Sequence, residues 1–389
     1  MRIPAALSAL AVLLSLAFAG SASAASCDHP ASAYSTGAPA DVSNPGPQAV
    51  NDPIFPDQWG LPLISAPQAW ARGDRGAGAI IAVVDTGVDL NHPDLRANLI
   101  GGADVTPQKT QGCPGPQDEN GHGTHVSGIA AAVTGNGIGV AGTAPEARIM
   151  PVRVLDADGS ADDATVIDGI KYAADHNADV INLSVGGPQI VGETPQLNQQ
   201  IADAVDYAYK KGAVVVAAAG NETLPLCSYP AAAANAVCVG AVDKRGAPST
   251  FSNFPTGAGG SVGVRAPGGL GSGLSCEDPE DVWSTVLPED SAECRDAANG
   301  ELSGYETYAG TSMATPFVSG VAAILAAKGL SNGQILECLK ATSSNGGSYD
   351  PAMGYGIVNA DNAAKTCSPA STPTRPGASG GGPPAGAPG

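Results

Sequence analysis

The chain has 389 residues, of which 14% are charged, and it contains 52 glycines and 32 prolines. This composition favours a compact, loop-rich enzyme and excludes a highly charged, disordered chain. The net charge is −19 and no basic run occurs, so we expect neither nucleic acid nor anionic membrane surfaces as partners. An acidic, solubilising surface explains the charge.

Residues 1–24 have the pattern of a bacterial-type secretory signal peptide. Arg2 precedes an apolar stretch over 3–20, and Ala22-Ser23-Ala24 offers the small residues of a cleavage site. A membrane anchor is the alternative, but the apolar stretch is short for a span and polar sequence follows at once. We therefore expect a secreted, extracellular protein that begins at Ala25 and has no stable membrane anchor.

Composition divides the remainder into three parts. Residues 25–50, rich in Ala, Pro, Gly and Ser, predict an N-terminal extension without regular structure. Residues 51–367 form the expected folded unit, and 368–389 a Pro/Gly-rich flexible tail. Inside the folded unit, 268–308 is acidic and glycine-rich, which predicts a surface excursion.

Short apolar runs alternate with helix-length segments in the folded unit. Apolar runs bounded in this way indicate strands that are buried on both faces, as in parallel sheets. The predicted strands are Ala79–Val84, Ile149–Val154, Val180–Leu183, Val214–Ala218 and Val237–Val242, and the predicted helices are Thr124–Val133, Asp163–Asn177 and Leu197–Lys211. The alternation predicts an α/β fold, with a mostly parallel, doubly wound sheet flanked by helices in three layers.

The eight cysteines suggest a disulfide framework, because an even count is typical of exported chains. No C-x-x-C occurs, which disfavours a zinc site or a thioredoxin-like motif. Proximity in sequence suggests the pairs Cys227–Cys238, Cys276–Cys294 and Cys338–Cys367, which leaves Cys27 to pair with Cys113. This set of four disulfides is a hypothesis.

Ser312 is a candidate nucleophile. It precedes the apolar run Phe317–Ala327, which predicts a buried helix. A serine at a helix N-terminus lies near unpaired N–H groups and the positive end of the helix dipole, both of which favour a developing oxyanion. Such a serine needs a base and an orienting acid elsewhere in the chain.

Three further residues could complete the chemistry. His122, between two glycines at a predicted helix start, is the candidate base, whereas His125 one turn later is assigned a structural role. Asp85 closes a buried strand, where a carboxylate is costly unless paired, and it could orient the imidazole. Asn221 follows another strand and could donate to an oxyanion together with the Ser312 N–H. Each could instead be an ordinary turn or packing residue.

Two rival motifs are excluded by residue order. Residues 259–263 and 329–333 match G-x-S-x-G, but an α/β-hydrolase places its histidine after that serine, and the last histidine here is His176. A zinc pair of His122 and His125 lacks a third ligand at a recognisable spacing. The remaining order is Asp, His, Ser.

With these motifs in that order, the chain resembles the subtilisin-type serine proteases (subtilases, family S8), nearest to the thermitase branch. The matching pieces are Asn51-Asp52-Pro53, Val84-Asp85-Thr86-Gly87, His92-Pro93-Asp94-Leu95, Gly121-His122-Gly123-Thr124-His125, Ala219-Gly220-Asn221, Gly310-Thr311-Ser312-Met313-Ala314 and Gly354-Tyr355-Gly356. The resemblance implies a subtilisin-like fold and an endopeptidase that acts through an acyl-enzyme, with Asp85, His122 and Ser312 as triad and Asn221 in the oxyanion hole. Polypeptide is the implied substrate, no cofactor is implied for catalysis, and a monomer is expected.

The resemblance also implies the walls of a substrate cleft. Ser184, Val185 and Gly186 would pair with an extended substrate backbone as an added strand. Ala218 to Gly220 would form the other wall of the S1 pocket, with Ser228 near its base. The small residues suggest a roomy pocket without fixed charge and an apolar or mixed preference.

A structural calcium site is the third implication. Its ligands would be two carboxylates, one side-chain amide and three backbone carbonyls, which are hard oxygen donors suited to Ca²⁺. They are contributed by Asp52, Asp94, Asn136, Val133, Ile138 and Val140. The alternative is that Asp94 only caps a turn.

Some features depart from the family. Phe317 stands where histidine is frequent and is expected to be a packing residue. The extension of about 26 residues is short for the usual pro-domain, which leaves maturation by that route in doubt. Such an extension, tied by a cysteine ahead of the catalytic histidine, resembles the mycosin subtilases, although their terminal membrane helix is lacking. The alternative function is therefore a secreted partner-binding or secretion-system-associated subtilase with restricted or occluded activity.

Overall fold

A computed structural model describes Cys27, His29, Tyr34 and residues 50–107, 113–186, 195–256, 260–271, 278–289 and 303–369. Nine strands are described: β1 Ile80–Asp85, β2 Ala103–Asp104, β3 Arg148–Arg153, β4 Val180–Leu183, β5 Val214–Ala218, β6 Ala236–Val242, β7 Val262–Pro267, β8 Val282–Thr285 and β9 Tyr305–Tyr308. The helices of the described residues are α1 Gly60–Leu63, α2 Ala66–Trp70, α3 His122–Ala131, α4 Asp163–Asp175, α5 Pro195–Lys211, α6 Thr311–Ala327, α7 Asn332–Thr342 and α8 Ala360–Thr366, with a 3₁₀ turn at Phe55–Asp57.

The central sheet has seven strands in the order β2-β3-β1-β4-β5-β6-β7, and all its pairs are parallel. The order steps outward from β1 in both directions, as doubly wound sheets do. Each of the five predicted strands is confirmed to within about one residue, because uninterrupted β-branched runs leave little choice of structure. The predicted α/β class and parallel sheet are therefore confirmed.

Helices cover both faces of the sheet. Ile81 and Val83 of β1 belong to the core beneath α3 and α6, whereas Ala82 and Val84 belong to the core beneath α4 and α5. Successive side chains of a strand point to opposite faces, so the same apolar run serves two cores. The result is the predicted three-layer arrangement.

The excursion at 268–308 is only partly as expected. Strands β8 and β9 form a two-stranded antiparallel sheet within it. This sheet packs on α3, where Ser284 Oγ donates to the His125 carbonyl and Thr285 Oγ1 to the Thr124 carbonyl, at 2.7 Å and 2.8 Å. The described part of the excursion is therefore a buried support for α3 rather than a surface loop.

Three of the predicted disulfides are confirmed, namely Cys27–Cys113, Cys227–Cys238 and Cys338–Cys367. The predicted Cys276–Cys294 pair lies outside the described residues, as do the predicted signal peptide and all but the first two residues of the tail. Among the helices in the described part of the chain, none has the length and apolar character needed to cross a bilayer.

Candidate active site

The four chemical candidates lie at the carboxyl edge of the sheet. Asp85 is the last residue of β1, His122 the first of α3, and Ser312 the second of α6. Asn221 follows the end of β5 by three residues. Carboxyl ends of adjacent parallel strands lie side by side, so loops far apart in sequence come together there.

Asp85 and His122 form a close pair. Nδ1 of His122 lies 2.7 Å from Oδ1 of Asp85, whose side chain is fully buried. The approach depends on Gly123, since a Cβ there would lie 2.1 Å from the Gly87 carbonyl oxygen. Glycine at this position lets α3 approach the end of β1 and brings the imidazole to the carboxylate.

Opposing effects act on the protonation of His122. Burial lowers the pKa of His122, but the charge and hydrogen bond of Asp85, together with the charge of Asp118, outweigh burial and raise it. The imidazole side chain is 21% exposed and therefore open to the cleft. A histidine held in this way has one ring nitrogen fixed by a carboxylate and the other available for proton transfer.

His125 has a different environment. It stacks on Tyr308 with ring centroids 4.3 Å apart, and its Nε2 lies 3.3 Å from the Glu306 carbonyl oxygen. Burial, followed by the charge of His122, lowers the pKa of His125 to about 3, so it is neutral at ordinary pH. These contacts agree with the predicted structural role. Phe317 is likewise a packing residue, with its ring against Gly60.

Ser312 lies against the segment that was predicted to bind substrate. Its hydroxyl donates to the Ser184 carbonyl at 3.0 Å, and the Ser184 hydroxyl donates to the Ser312 carbonyl at 2.8 Å. These reciprocal bonds fix the first turn of α6 beside the end of β4. They also place the serine oxygen next to the backbone of the cleft.

Asn221 is oriented by the residue that precedes the serine. Its Oδ1 accepts the N–H and the hydroxyl of Thr311, both at 2.9 Å, so its amide nitrogen faces the other way. A Cβ placed on Gly310, whose φ is +155°, would lie 3.6 Å from the Ser312 nitrogen and 3.7 Å from Asn221 Nδ2. The two N–H donors therefore border the same small space, which a side chain at Gly310 would fill.

The predicted cleft walls also come together. A Cβ on Gly186 would lie 3.2 Å from the Tyr229 carbonyl oxygen and 3.8 Å from that of Ala218. Val185 is buried behind this edge. The segment from Ser184 to Gly186 therefore faces the β5 end across a narrow gap, and residues 187–194 lie outside the described chain.

Glu222 was missed by the sequence reasoning. Its Oε2 accepts from Asn253 Nδ2 at 2.7 Å, and a Cβ on Gly220 would lie 2.6 Å from that oxygen and 2.9 Å from Ser228 Oγ. A carboxylate therefore lies beside the predicted pocket base, unlike the expectation of a pocket without fixed charge. Its position directly after Asn221 is the feature of the sequence that could have indicated a carboxylate near the pocket.

The predicted metal ligands form a second cluster, on the loop after α3. Asp94 Oδ2 accepts the Val140 N–H at 2.9 Å, and Asp52 accepts the N–H groups of Gly135 and Asn136 at distances from 2.8 to 3.2 Å. Val133 is tied to the same place, since its N–H donates to the Asp94 carbonyl at 2.9 Å. The cluster therefore joins the start of the folded unit to α3.

The two carboxylates are buried and repel each other. Burial raises the pKa of Asp52 to about 6, against the opposing effect of its backbone hydrogen bonds. Burial also raises the pKa of Asp94 well above its usual range, and the charge of Asp52 adds to the rise. In the described part of the chain, neither carboxylate forms an ion pair with a cationic side chain. Such a site suits a divalent cation with hard oxygen ligands.

One contact would have to change for the cation to bind. Asn136 Nδ2 donates to Asp94 Oδ1 at 2.7 Å, and Asn136 Oδ1 accepts the Ile138 N–H at 2.9 Å. Ligation through the amide oxygen would require this side chain to turn over.

Comparison with known proteins agrees with this architecture. The model of the subtilase family matches residues 76–356. Thermitase from Thermoactinomyces vulgaris is 43% identical over 311 residues, which cover 80% of this chain and 97% of thermitase. Subtilisin BL from Lederbergia lenta is 38% identical over 309 residues, which cover 79% and 98% of the two chains.

A solved structure is similar over the same region. A protease from Pseudoalteromonas arctica PAMC 21717 superposes with a TM-score of 0.68 at 32% identity, covering 81% of this chain and 98% of that one. These matches confirm the resemblance to subtilisin-type serine proteases that the sequence motifs indicated. This chain belongs to the subtilase family and is a serine endopeptidase of the subtilisin type.

Proposed function

We propose that the protein is a secreted endopeptidase in which Ser312 is the nucleophile, His122 the general base and Asp85 the residue that orients it. Asn221 Nδ2 and the Ser312 N–H are the oxyanion donors. The observation that carries the proposal is the space beside Gly310: a Cβ placed on this glycine would lie 3.6 Å from the Ser312 nitrogen and 3.7 Å from Asn221 Nδ2. An oxyanion hole needs two such donors directed at one point, because they stabilise charge that appears only in the transition state.

The first half of the reaction forms the acyl-enzyme. The Ser312 hydroxyl turns from the Ser184 carbonyl towards His122, its oxygen bonds to the substrate carbonyl carbon, and its proton passes to Nε2 of His122. The carbonyl electrons move to the oxygen, which Asn221 and the Ser312 N–H receive. The intermediate then collapses, the C–N bond breaks, and His122 returns the proton to the leaving amine.

Water completes the cycle by the same steps. His122 takes a proton from water, the resulting oxygen attacks the acyl carbon, and the bond to Ser312 breaks with return of the proton to its oxygen. Asp85 keeps its charge throughout, holding Nδ1 and stabilising the imidazolium. Its complete burial supports this role, because a buried carboxylate next to one imidazole favours the protonated ring.

Substrate would lie in the cleft between the two walls. Ser184, Val185 and Gly186 follow β4, and an extended peptide can add to that edge as a further strand. Ala218, Gly220 and Ser228 would line the S1 pocket, with the Glu222 carboxylate beside its base. This carboxylate favours basic or polar side chains at P1 over acidic ones.

A bound Ca²⁺ would be structural. Asp52, Asp94 and Asn136 would supply side-chain oxygens, and Val133, Ile138 and Val140 backbone oxygens. The mutual repulsion of the two buried carboxylates supports this assignment, since a divalent cation would remove it. The ion would stabilise the loop that follows α3 and would take no part in the acyl transfer.

The proposed organisation keeps the boundaries predicted from sequence. Residues 1–24 would be removed on export, 25–50 would form the extension, 51–367 the catalytic domain and 368–389 the tail. The three described disulfides support export, because disulfides persist in oxidising compartments.

A fluorophosphonate probe tests the proposal on the purified chain from Ala25. Labelling of the wild type, loss of labelling in Ser312→Ala and strongly slowed labelling in His122→Ala are expected. A folded wild type that is not labelled, and that cuts no denatured protein substrate, would refute the proposal. That outcome would favour the partner-binding alternative.

A further inference from the structure

The N-terminal extension contacts the folded unit through buried side chains. His29 and Tyr34 are only 4% and 6% exposed, and Cys27 is bonded to Cys113, which precedes His122 by nine residues. Both side chains converge on Asp89: Nδ1 of His29 lies 3.2 Å from Asp89 Oδ2, and the Tyr34 hydroxyl donates to the same oxygen. Asp89 is itself fully buried.

The other ring nitrogen of His29 faces a second carboxylate. Nε2 lies 3.1 Å from both oxygens of Glu289, which follows β8. A ring with a carboxylate at each nitrogen is favoured as the doubly protonated imidazolium. The extension therefore places a positive charge beside Asp89, which has no other cation as an ion-pair partner in the described residues.

Asp89 connects this contact to the catalytic helix. Its N–H donates to Thr124 Oγ1 at 2.9 Å, and that hydroxyl donates to Asp118 Oδ2 at 2.6 Å. Asp118 also accepts the Thr124 N–H at 2.9 Å, which satisfies an unpaired group in the first turn of α3. Asp118 Oδ1 accepts the Asn120 N–H at 3.0 Å, and Asn120 Oδ1 accepts the His122 N–H at 3.3 Å.

We propose that the extension is a positioning element of the active site: His29 and Tyr34 hold Asp89, and the hydrogen bonds from Asp89 through Thr124 and Asp118 fix the turn that carries His122. The inference rests on the proposed role of His122 as general base. His29, Tyr34, Asp89, Thr124 and Asp118 would not touch substrate. They would act by keeping the imidazole in line between Asp85 and Ser312.

A purely anchoring role for the extension makes a different prediction. An anchor adds to the stability of the fold and leaves the chemistry of the folded protein unchanged. A positioning element also changes the His122–Asp85 pair when it is weakened. A small displacement of a catalytic group can lower the rate by about 10²-fold per ångström, so a partial loosening should lower kcat measurably.

The test uses variants that remove one hydroxyl without changing charge. Tyr34→Phe keeps the ring that packs against His92 with centroids 4.9 Å apart. Thr124→Val removes the bridging hydroxyl, whereas Thr124→Ser keeps it. Tyr207→Phe is the matched control, because it removes another tyrosine hydroxyl that donates to an aspartate, Asp175, at 2.6 Å on the helical face opposite α3.

Four quantities are measured on the chain from Ala25 at a temperature well below every Tm: kcat, KM, the acid limb of the kcat/KM profile and the downfield NMR signal of the His122 Nδ1 proton. The titratable groups that influence the protonation of His122 are Asp85, Asp118 and His125. Tyr34→Phe and Thr124→Val should lower kcat by about 3- to 10-fold with little change in KM. A weaker hold by Asp85 lowers the pKa of His122, so the acid limb should move to lower pH and the NMR signal should shift or broaden.

Thr124→Ser and Tyr207→Phe should match the wild type in all four quantities. In the double variant Tyr34→Phe with Thr124→Val, kcat should fall no further than in the worse of the two single variants. Both substitutions interrupt the same series of hydrogen bonds, so their effects should not add. If Thr124→Val fails to fold, Tyr34→Phe and His29→Gln decide the question. Variants with a lowered Tm but wild-type kcat, acid limb and NMR signal would overturn the proposal. An unlabelled wild type in the fluorophosphonate assay would instead refute the proposed function.

Discussion

Thr311 fixes the orientation of Asn221 through two hydrogen bonds of 2.9 Å to the same amide oxygen, one from its N–H and one from its hydroxyl. The threonine hydroxyl also accepts the Gly220 N–H at 3.2 Å. The residue directly before Ser312 therefore aligns the side chain that we propose as oxyanion donor. The first turn of α6 thus has two tasks, presenting the serine and directing the amide.

Asn221→Leu should lower kcat by about 10²- to 10³-fold with little change in KM, because the donor acts only on the oxyanion. This is the size of the loss in subtilisin, a relative of this chain, when its oxyanion asparagine is removed. Thr311→Val should cause a smaller loss in the same direction, and Thr311→Ser should cause almost none. Steady-state kinetics on one peptide substrate measure all three. Equal losses in the valine and serine variants would contradict the orienting role of the hydroxyl.

Asp85→Asn should lower kcat by about 10⁴-fold, a magnitude taken from related catalytic triads. Without the carboxylate the pKa of His122 falls, so the acid limb of the remaining activity should move to lower pH. The measurement is the pH profile of kcat/KM. Asp206→Asn is the control, since Asp206 is an exposed carboxylate paired with Lys210 at 2.5 Å on α5. A loss of similar size in the control would point to a general charge effect.

Glu222→Gln should reduce the preference for lysine and arginine at P1. One charge close to a solvent-exposed site contributes about 1 kcal/mol, so kcat/KM for basic P1 residues should fall about 5-fold. Phenylalanine at P1 should be little affected. Paired peptides that differ only at P1 measure the effect, and added salt should weaken it. The control is Glu337→Gln, which removes an exposed carboxylate paired with Lys340 at 2.6 Å on α7. A uniform change across P1 residues would argue against a place for Glu222 in the pocket.

Removal of calcium should lower the Tm of the protein, because the buried carboxylates of Asp52 and Asp94 would then repel without compensation. Thermal unfolding with EDTA and with excess calcium measures the difference. In Asp94→Asn the difference should disappear, whereas in Asp206→Asn it should persist. Identical melting curves for the wild type under both conditions would refute the calcium site.

His29→Gln should destabilise the protein most at mildly acidic pH, below the ordinary histidine pKa of 6.5 and above the range in which Asp89 and Glu289 become protonated. Hydrogen bonds to Asp89 and Glu289 raise the pKa of His29 from 6.5 to about 10 despite burial. The stabilisation is complete below the unfolded pKa and is lost as the pH rises through about 10. Burial raises the pKa of Asp89 and Glu289, but the interaction with His29 outweighs burial and lowers both values. Part of the stabilisation by His29 is therefore also lost when acid protonates these two carboxylates.

The groups packed around His29 are Asp89, Glu289, Tyr34 and His92. The Tm difference between wild type and His29→Gln should therefore peak between the acid and alkaline limits. His176→Gln, which alters an exposed histidine on the opposite helical face, should show no such peak. A Tm difference that is constant across pH would rule out the ion pair as its source.

Local apolar patterns predicted five of the nine described strands, and the four chemical candidates, whose roles stay predictions, lie at one edge of the resulting sheet. Uninterrupted apolar runs such as Val214–Ala218 have few alternative structures, and the position of His176 excluded the rival serine motifs. Strands β2, β7, β8 and β9 were not predicted. Their sequences carry no comparable run, and their structure depends on the neighbours that they pair with.

The contacts that the sequence did not predict join residues that are far apart in the chain and belong to no periodic pattern of apolar residues. Glu222 reaches Asn253 across 31 positions, and Tyr34 reaches Asp89 across 55. A stretch rich in proline, glycine and alanine gives no sign that two of its side chains will be buried. Such contacts are decided by tertiary packing, which local propensity does not encode.

The Cys27–Cys113 disulfide has a consequence for survival among active copies of the same enzyme. The bond encloses the chain over a sequence separation of 86 residues. A peptide bond cut anywhere inside this loop leaves the two fragments covalently joined, so a nick by a neighbouring molecule need not release the extension. Nicked molecules would migrate as one band until a reducing agent separates them.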